Sequence, residues 1–486
     1  MKSLCALLLC LSGLVFAKGP PNLVVIMVDD LGWGDLGCFG GEAKTPHLDR
    51  LAAEGRRYEQ FYVASPICSP SRVAFLTGQY PARWRITSYL ARRVENEARG
   101  LADHLDPAAP TLARALRGVG YANGHFGKWH LGGQRDIADA PLITAYGFDE
   151  SLTNFEGLGP RLLPLTYAPG QLEPRAHALL SDTVGPGPTV WMDRATITAG
   201  YARAARTFLE RAEKAGRPAY VNLWPDDPHG PHFPPLDRWG DGSPAARYRG
   251  VLEAMDAQLG EFLQALRDHV RLRDNTLVVF FSDNGPTPAV GSAGPFRGTK
   301  GMLYEGGLRS PLIVWGPGLL APGTAGTTDR TSVFSTLDLN ATLHTFAGAP
   351  APGVELDGEV LLDTLLGRNP VSRSAPLFFR RPPDRNQFGG QKELPDLAVR
   401  HGRWKLLCEY DGTAPELYDV TSDPGERLNV APTWPEETAR LVRLVTAWHR
   451  ALPADRGASL RRNVSGGAGS PGPGQGSRQP QRQAQP

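Results

Sequence analysis

The sequence predicts an α/β protein: a large, mostly parallel sheet flanked by helices, with a small antiparallel sheet subdomain following it. Three observations predict this. Apolar, β-branched runs recur, each followed by polar or glycine-rich residues. Amphipathic helical patterns lie between them. After about residue 370 the pattern changes to short strand-like pieces joined by turns. Strands alternating with helices build a parallel sheet covered on both faces. The chain has 486 residues, 41% hydrophobic and 21% charged, enough for a large core. Its formal net charge of +2 argues against binding nucleic acid or another polyanion through bulk electrostatics.

Residues 1–17 read as a signal peptide. Lys2 is the positive end, Leu4 to Phe16 the apolar stretch, and Val15-Phe16-Ala17 the small-residue cleavage site. That run is too short to span a bilayer comfortably, and no later segment is longer, so the expectation is export to a periplasmic or secreted location without a membrane span. Residues 18–369 then form the main domain, 370–457 a small α+β subdomain, and 458–486 a Gly/Pro/Ser/Gln/Arg tail with too little apolar surface to fold.

Within the main domain the clearest strand candidates are Asn22–Val28, Tyr220–Trp224, Thr276–Ser282 and Pro311–Trp315, with weaker ones at Tyr58–Val63 and Tyr121–Phe126. Thr45-Pro46 starts a helix carrying Leu48, Leu51 and Ala52. Thr111–Arg117, Ala199–Ala215, Tyr248–His269 and Ser335–Phe346 are further helices; Val251, Leu252, Met255, Leu259, Phe262, Leu263 and Leu266 form one apolar stripe. Asp149–Asp193 is rich in proline and glycine and reads as a long insertion rather than a core element. Leu377–Arg380, Asp396–Arg400, Trp404–Glu409 and Glu416–Asp419 supply the small sheet, followed by a helix from Pro435 to Leu452.

Export implies an oxidising compartment. Beyond the signal peptide three cysteines remain, Cys38, Cys68 and Cys408. At most one disulfide can form, so one cysteine is free, modified or shared with another chain.

In open parallel sheets the site lies at the carboxyl ends of the strands. Asp29 and Asp30 follow the first strand. Cys68-Ser69-Pro70-Ser71-Arg72 follows Tyr58–Val63, and Lys128 and His130 follow Tyr121–Phe126. Asp226, Asp227, His229 and His232 follow Tyr220–Trp224, and Asp283 and Asn284 follow Thr276–Ser282. Either pair alone is more readily a helix or turn cap. Two such pairs ending parallel strands make an all-oxygen donor set suited to calcium or magnesium rather than zinc.

The run Cys68-Ser69-Pro70-Ser71-Arg72, continuing to Leu76-Thr77-Gly78, resembles the sulfatase signature C-x-P-S-R followed by L-T-G. Average residue usage gives the five-residue core by chance in on the order of one such chain per thousand. The resemblance runs from Asn22 to about Pro432. Val28–Asp35 is similar to the family's opening strand and metal loop, and Gly127–Gly132 to its G-K-W-H-L-G motif. Ser282–Gly285 is similar to its second metal motif, Gly298–Lys300 with Tyr304–Gly307 to a lysine-bearing loop, and Ala398–Leu406 with Glu416–Glu426 to its small C-terminal domain. The groups it looks most like are bacterial relatives of arylsulfatase A and N-acetylgalactosamine-6-sulfatase.

The resemblance implies an alkaline-phosphatase-like α/β sandwich and hydrolysis of a sulfate ester, on a sulfated carbohydrate or aryl sulfate. It implies that Cys68 is converted to formylglycine (3-oxoalanine) by a formylglycine-generating enzyme. The hydrated aldehyde then attacks sulfur, and sulfate is later expelled. One Ca2+ is implied, held by Asp29, Asp30, Asp283 and Asn284 together with the residue at position 68. Lys128, Lys300 and His229 are implied to neutralise the sulfate oxygens, with His229 as proton donor to the leaving alcohol. Arg72 would hold the nucleophile's oxygens, Asp283 would take up its proton, and His130 would accept the proton of the second hydroxyl. His232, on the His229 loop, is a candidate substrate contact, and Arg83, Arg85, Arg92 and Arg93 are equally a substrate-side patch or a solvated surface run. Two rival readings stand beside this one. One is a phosphodiesterase or phosphonate monoester hydrolase of the same superfold, and the other an inactive carbohydrate-binding relative.

Overall fold

The computed structural model describes residues 19–133, 135–154, 157–177, 185–381 and 394–454. The expected signal peptide and C-terminal tail lie outside these residues. In chain order the main domain carries β1 (Asn22–Val28), β2 (Arg56–Tyr58), β3 (Phe61–Tyr62), β4 (Ala122–Gly127), β5 (Glu150–Leu152), β6 (Arg161–Thr166), β7 (Arg175–Ala176), β8 (Thr189–Asp193), β9 (Ala219–Trp224), β10 (Thr276–Ser282), β11 (Leu312–Trp315), β12 (Thr327–Asp329) and β13 (Phe334–Ser335). Eight of them form one sheet in the order β12-β2-β11-β10-β1-β9-β4-β5. Every neighbouring pair is parallel except those made by β11, which runs against β10 and β2.

β1 sits at the centre because it can be buried on both faces. Leu23, Val25 and Met27 point into one core with Tyr58, Phe75, Trp224 and Phe281. Val24, Ile26 and Val28 point into the other, under the long helices Ile197–Lys214 and Pro244–Asp268. A continuous apolar run is what a strand covered by helices on both sides requires.

Two readings of the sequence need correction. Tyr58–Val63 is not one strand. The chain bends at Glu59 and Gln60, so that β2 joins the main sheet while β3 pairs with β13 outside it. Both halves are aromatic and apolar, so composition carries no sign of the break. The second concerns Asp149–Asp193, which does contain structure. β5 extends the main sheet, and a mostly buried β6 lies between β7 and β8 in a three-stranded sheet. Pro164 lies inside β6, in register with Met192 of β8, and its carbonyl accepts the His177 amide on the other side at 3.0 Å. A proline that reads as a breaker is accommodated because the pairing uses its carbonyl.

The helix Cys68–Thr77 is buried along its whole length. It ends at Gly78 in the left-handed region (φ 68°), where a Cβ would come within 2.4 Å of Asn340 Oδ1. Asn340, in the helix Thr336–Phe346, donates through Nδ2 to the Phe75 and Leu76 carbonyls at 2.7 and 3.3 Å. These are terminal carbonyls with no partner inside their own helix. The sequon Asn340-Ala341-Thr342 is therefore closed to a glycan in the folded chain. Asn340→Ala is expected to lower stability by about 1–3 kcal/mol, the cost of buried carbonyls left unsatisfied, with a shift of the urea midpoint as the readout.

The small subdomain is a four-stranded antiparallel sheet of β14 (Leu377–Arg380), β15 (Leu397–His401), β16 (Trp404–Cys408) and β17 (Glu416–Asp419), covered by the helix Pro435–Ala451. Cys408 is buried in it, and neither Cys38 nor Cys408 forms a disulfide. Among the described residues no helix is long and apolar enough to cross a membrane.

Candidate active site

The ends of β1, β4, β9 and β10 converge, and the start of the Cys68 helix meets them. Asp29 and Asp30 leave β1, Asp30 with φ 64°. Lys128 leaves β4 after Gly127, which has φ 120° and where a Cβ would lie 2.0 Å from the Trp224 carbonyl, so only glycine fits. His130 also has a positive φ of 56°. Non-glycine residues in this region cost of order 1–3 kcal/mol each and cluster at functional sites. The segment between β3 and Cys68 is pinned by the Val63 amide on the Leu308 carbonyl (2.9 Å) and the Gly301 amide on the Pro66 carbonyl (2.8 Å). The second contact ties the Cys68 helix to the loop carrying Lys300.

Asp29, Asp30 and Asp283 are all buried, and three cations sit among them. Lys128 pairs with Asp29. Lys300 pairs with Asp30 at 2.7 Å. Arg72 donates to Asp283 Oδ2 at 3.0 and 2.8 Å through Nε and Nη2, and to the Lys128 carbonyl at 3.0 Å. The Asp30 amide donates to Asp283 Oδ1 (3.3 Å) and Asn284 Nδ2 to Asp30 Oδ1 (2.8 Å). Candidate ligand atoms of Asp29, Asp30, Cys68 and His229 all lie within 4.8 Å of one another.

Three cations already face the three carboxylates, but donor oxygens are left over. Burial works against an ionised Asp29, yet Lys128, His229 and Arg72 hold it well below the usual carboxylate range. Burial, and then the charge of Asp29, push Asp283 up to about 7. Asp29 Oδ1 and Asn284 Oδ1 are buried without a hydrogen bond. Unpartnered buried oxygens beside mutually repelling carboxylates are what a hard divalent cation corrects, and this donor set fits calcium.

Cys68 is buried at the head of its helix, and burial pushes its thiol up to about 12 against Lys128 and Lys300. A thiol is a poorer nucleophile than a thiolate, so this rise works against Cys68 acting directly. His229 lies with Nδ1 2.6 Å from the Gly230 carbonyl and Nε2 3.7 Å from Asp30 Oδ2. The carbonyl accepts from Nδ1–H, so that tautomer leaves Nε2 facing the acidic cluster. Burial, and then Lys300, lower the His229 pKa. Burial, then Lys128 and Arg72, hold His130 neutral. His232 contacts the Pro228 carbonyl (3.0 Å) and packs edge-on against Tyr248.

The sequence-derived site residues other than His130 and His232 thus meet in one cluster; His130 feels the charges of Lys128, Arg72 and Asp29, and His232 lies on the loop of His229. The arginine patch is different. Arg83 pairs with Asp357 (2.6 Å), and Arg93 with Asp103 (2.6 Å) and Asp139 (2.5 Å), so two of its four charges are already matched. Sequence reasoning missed the supports of the loop that carries Asp29 and Asp30. Asp35 accepts the Gly32 and Ser292 amides (2.7 and 2.8 Å) and the Tyr248 hydroxyl (2.6 Å), while Ser282 Oγ accepts the Leu31 amide (3.0 Å). Asp35 stands inside the motif already singled out; Tyr248 had no signal beyond its helix.

Comparison with known proteins follows the same line. The Sulfatase family profile matches residues 21–349. Arylsulfatase A of Homo sapiens is 33% identical over 461 residues, 87% of this chain and 86% of that protein. N-acetylgalactosamine-6-sulfatase of Canis lupus familiaris is 34% identical over 385 residues, 76% of this chain and 70% of that protein. The crystal structure of Ps i-CgsB in complex with k-i-k-neocarrahexaose superposes with a TM-score of 0.73 at 24% identity, covering 92% of this chain and 97% of that one.

Proposed function

From the premise that the chain belongs to the sulfatase family, we propose that it hydrolyses a sulfate ester on a sulfated carbohydrate or aryl sulfate, using a formylglycine made from Cys68 and one calcium ion. Its fold is the alkaline-phosphatase-like sandwich of its structural neighbours, and the family's named members are sulfuric ester hydrolases. The observation that carries the finer reading is Cys68. Its Sγ and candidate ligand atoms of Asp29, Asp30 and His229 lie within 4.8 Å of one another at the head of a buried helix, and burial raises its thiol. A group at this point faces both the acidic cluster and Lys128 and Lys300, which is where a nucleophile for an anionic ester has to stand.

Asp29, Asp30, Asp283 and Asn284 would hold calcium, which when bound polarises sulfate oxygens as a Lewis acid. The hydrated aldehyde at position 68 supplies one hydroxyl for attack and a second whose deprotonation releases the product. The chain's own residues do the rest. Lys128 and Lys300, kept protonated by Asp29 and Asp30 against the pull of burial, bring two positive charges to the sulfate oxygens. Arg72 orients Asp283, which would take up the proton of the attacking hydroxyl. His229 turns Nε2 towards the site; with Nδ1–H held by the Gly230 carbonyl, it donates to the leaving oxygen from its imidazolium form, which the nearby charges of Asp29 and Asp30 favour against burial. His130, held neutral, accepts the proton of the second hydroxyl. Residues 1–17 direct the chain out of the cytoplasm to the periplasm or medium, and a formylglycine-generating enzyme is the maturation partner.

Peptide mass spectrometry across Cys68, on protein co-expressed with that enzyme, should find the aldehyde. Sulfate release from 4-nitrocatechol sulfate should then fall at least about 100-fold on chelation and return with calcium, because a Lewis acid contributes several kcal/mol to the transition state. Full conversion with no sulfate release from this ester would refute the general arylsulfatase reading and direct attention to a narrow sugar ester or to phosphorus esters.

A further inference from the structure

We propose that Arg194 is a positioning residue that sets the aim of His229, an inference that rests on His229 being the proton donor to the leaving group. Arg194 opens the turn that follows β8, at the end of the Pro/Gly-rich insertion, and its side chain is 2% exposed. Its guanidinium pairs with Asp227 Oδ1 at 2.6 Å and lies 3.6 Å from Asp226 Oδ1. Through Nη2 it donates to the His229 carbonyl at 3.1 Å and reaches the Asp226 carbonyl at 3.5 Å. The second Asp227 oxygen accepts the Thr198 hydroxyl at 2.6 Å.

The loop held in this way is the one that delivers the proton. Asp226 to His232 contains no helix or strand, so no regular ladder of backbone hydrogen bonds fixes its path. It is fixed instead by single contacts: the Arg194 guanidinium, the Thr198 hydroxyl on Asp227 (2.6 Å), the His232 ring on the Pro228 carbonyl (3.0 Å), the His229 amide on the Asp226 carbonyl (3.0 Å) and the Asp29 amide on the Asp227 carbonyl (3.0 Å). The last contact makes the Arg194–Asp227 pair a neighbour of the acidic cluster as well as of His229.

A buried ion pair is weak evidence for stability, because desolvation offsets much of the attraction. What this one provides is geometry. A guanidinium presents several donors in a rigid plane and can grip a carboxylate and a carbonyl together, whereas an ammonium on a flexible stem cannot hold the same two directions. Arg194→Lys therefore keeps the charge beside Asp227 and loses the hold on the His229 carbonyl.

A misplaced proton donor has a signature that general destabilisation lacks. An ester whose leaving oxygen is a poor base departs with little protonation, and one with a basic leaving oxygen depends on it. The test uses matured, calcium-loaded enzyme and a series of phenyl sulfates running from 4-nitrophenyl to 4-methoxyphenyl. Wild type, Arg194→Lys, Thr198→Val and His229→Ala are compared by kcat and KM. Arg194→Lys is expected to lose about 10–100-fold in kcat on the most basic phenol, against less than about threefold on 4-nitrophenyl sulfate, with KM little changed. Thr198→Val, which keeps both charges, should tilt the same way by a smaller amount, and it decides the matter if Arg194→Lys does not fold. An equal loss on every ester, or no loss, overturns the positioning role. A flat His229→Ala profile overturns the proton-donor reading itself, and this inference with it.

Discussion

Cys68→Ala is expected to abolish sulfate release, a fall of at least about 10³–10⁴-fold, because covalent catalysis loses its nucleophile while the binding charges remain. The change removes one buried sulfur from a helix head that is otherwise intact, so thermal stability should move by only about 1 kcal/mol, typical of a small core truncation. Calcium binding should weaken without vanishing, since four other oxygen-bearing residues remain. Cys68→Ser separates the two halves of the chemistry. A serine hydroxyl can attack sulfur but has no second hydroxyl through which to expel sulfate, so one turnover should be followed by arrest. Steady turnover by Cys68→Ala, above a tenth of the matured enzyme's rate, would remove position 68 from the mechanism.

The parts of the site that sequence reasoning reached are those in which the chemistry sits directly after a strand. Asn22–Val28 and Thr276–Ser282 are continuous apolar runs, and the acidic pair after each is adjacent in sequence. Parallel pairing of β1 with β10, in register from Asn22↔Thr276 to Val28↔Ser282, then brings Asp29 and Asp283 together without further information. Arg194 is of another kind. It follows a strand hidden among prolines, and its role depends on Asp227 and His229 meeting it from a loop more than 30 residues further on. The split of Tyr58–Val63 was equally hidden, because β3 is set by pairing with Phe334, about 270 residues away. Local pattern reports which face of an element is apolar, not which distant backbone will bond to it. The arginines at 83 and 93 show the same limit, since nothing near them in sequence marks Asp357 or Asp139 as their partner.

The largest effect on stability is expected from a group the catalytic reading does not use. Lys405, on β16 of the small subdomain, is fully buried against the main domain, where it meets Glu305 at 3.0 Å and Glu426 at 2.9 Å. Glu305 also pairs with Arg309 and accepts the Tyr62 hydroxyl at 2.7 Å, while Glu426 accepts the Glu305 amide at 2.6 Å. Burial opposes ionisation of Glu305, but Arg309 and Lys405 pull it down to about 2. Burial, and then the charge of Glu305, push Glu426 up to about 7 against the pull of Lys405. Lys405→Met keeps the apolar stem and removes the cation, leaving two buried carboxyls with one ion-pair partner between them, Arg309. The expected loss is about 3–5 kcal/mol, the cost of breaking a buried pair from one side. The pH dependence fixes the sign. Without Lys405 both carboxyls rise in the folded state relative to the wild type, and Glu426 stands further above its unfolded value. The folded variant then binds more protons than the unfolded chain over the range from that unfolded value up to the raised one, so its stability falls as pH rises through that window. The penalty measured by denaturant unfolding should accordingly be larger at pH 8 than at pH 5. A penalty independent of pH would mean that the loss comes from packing at the joint between the two sheets and not from its charges.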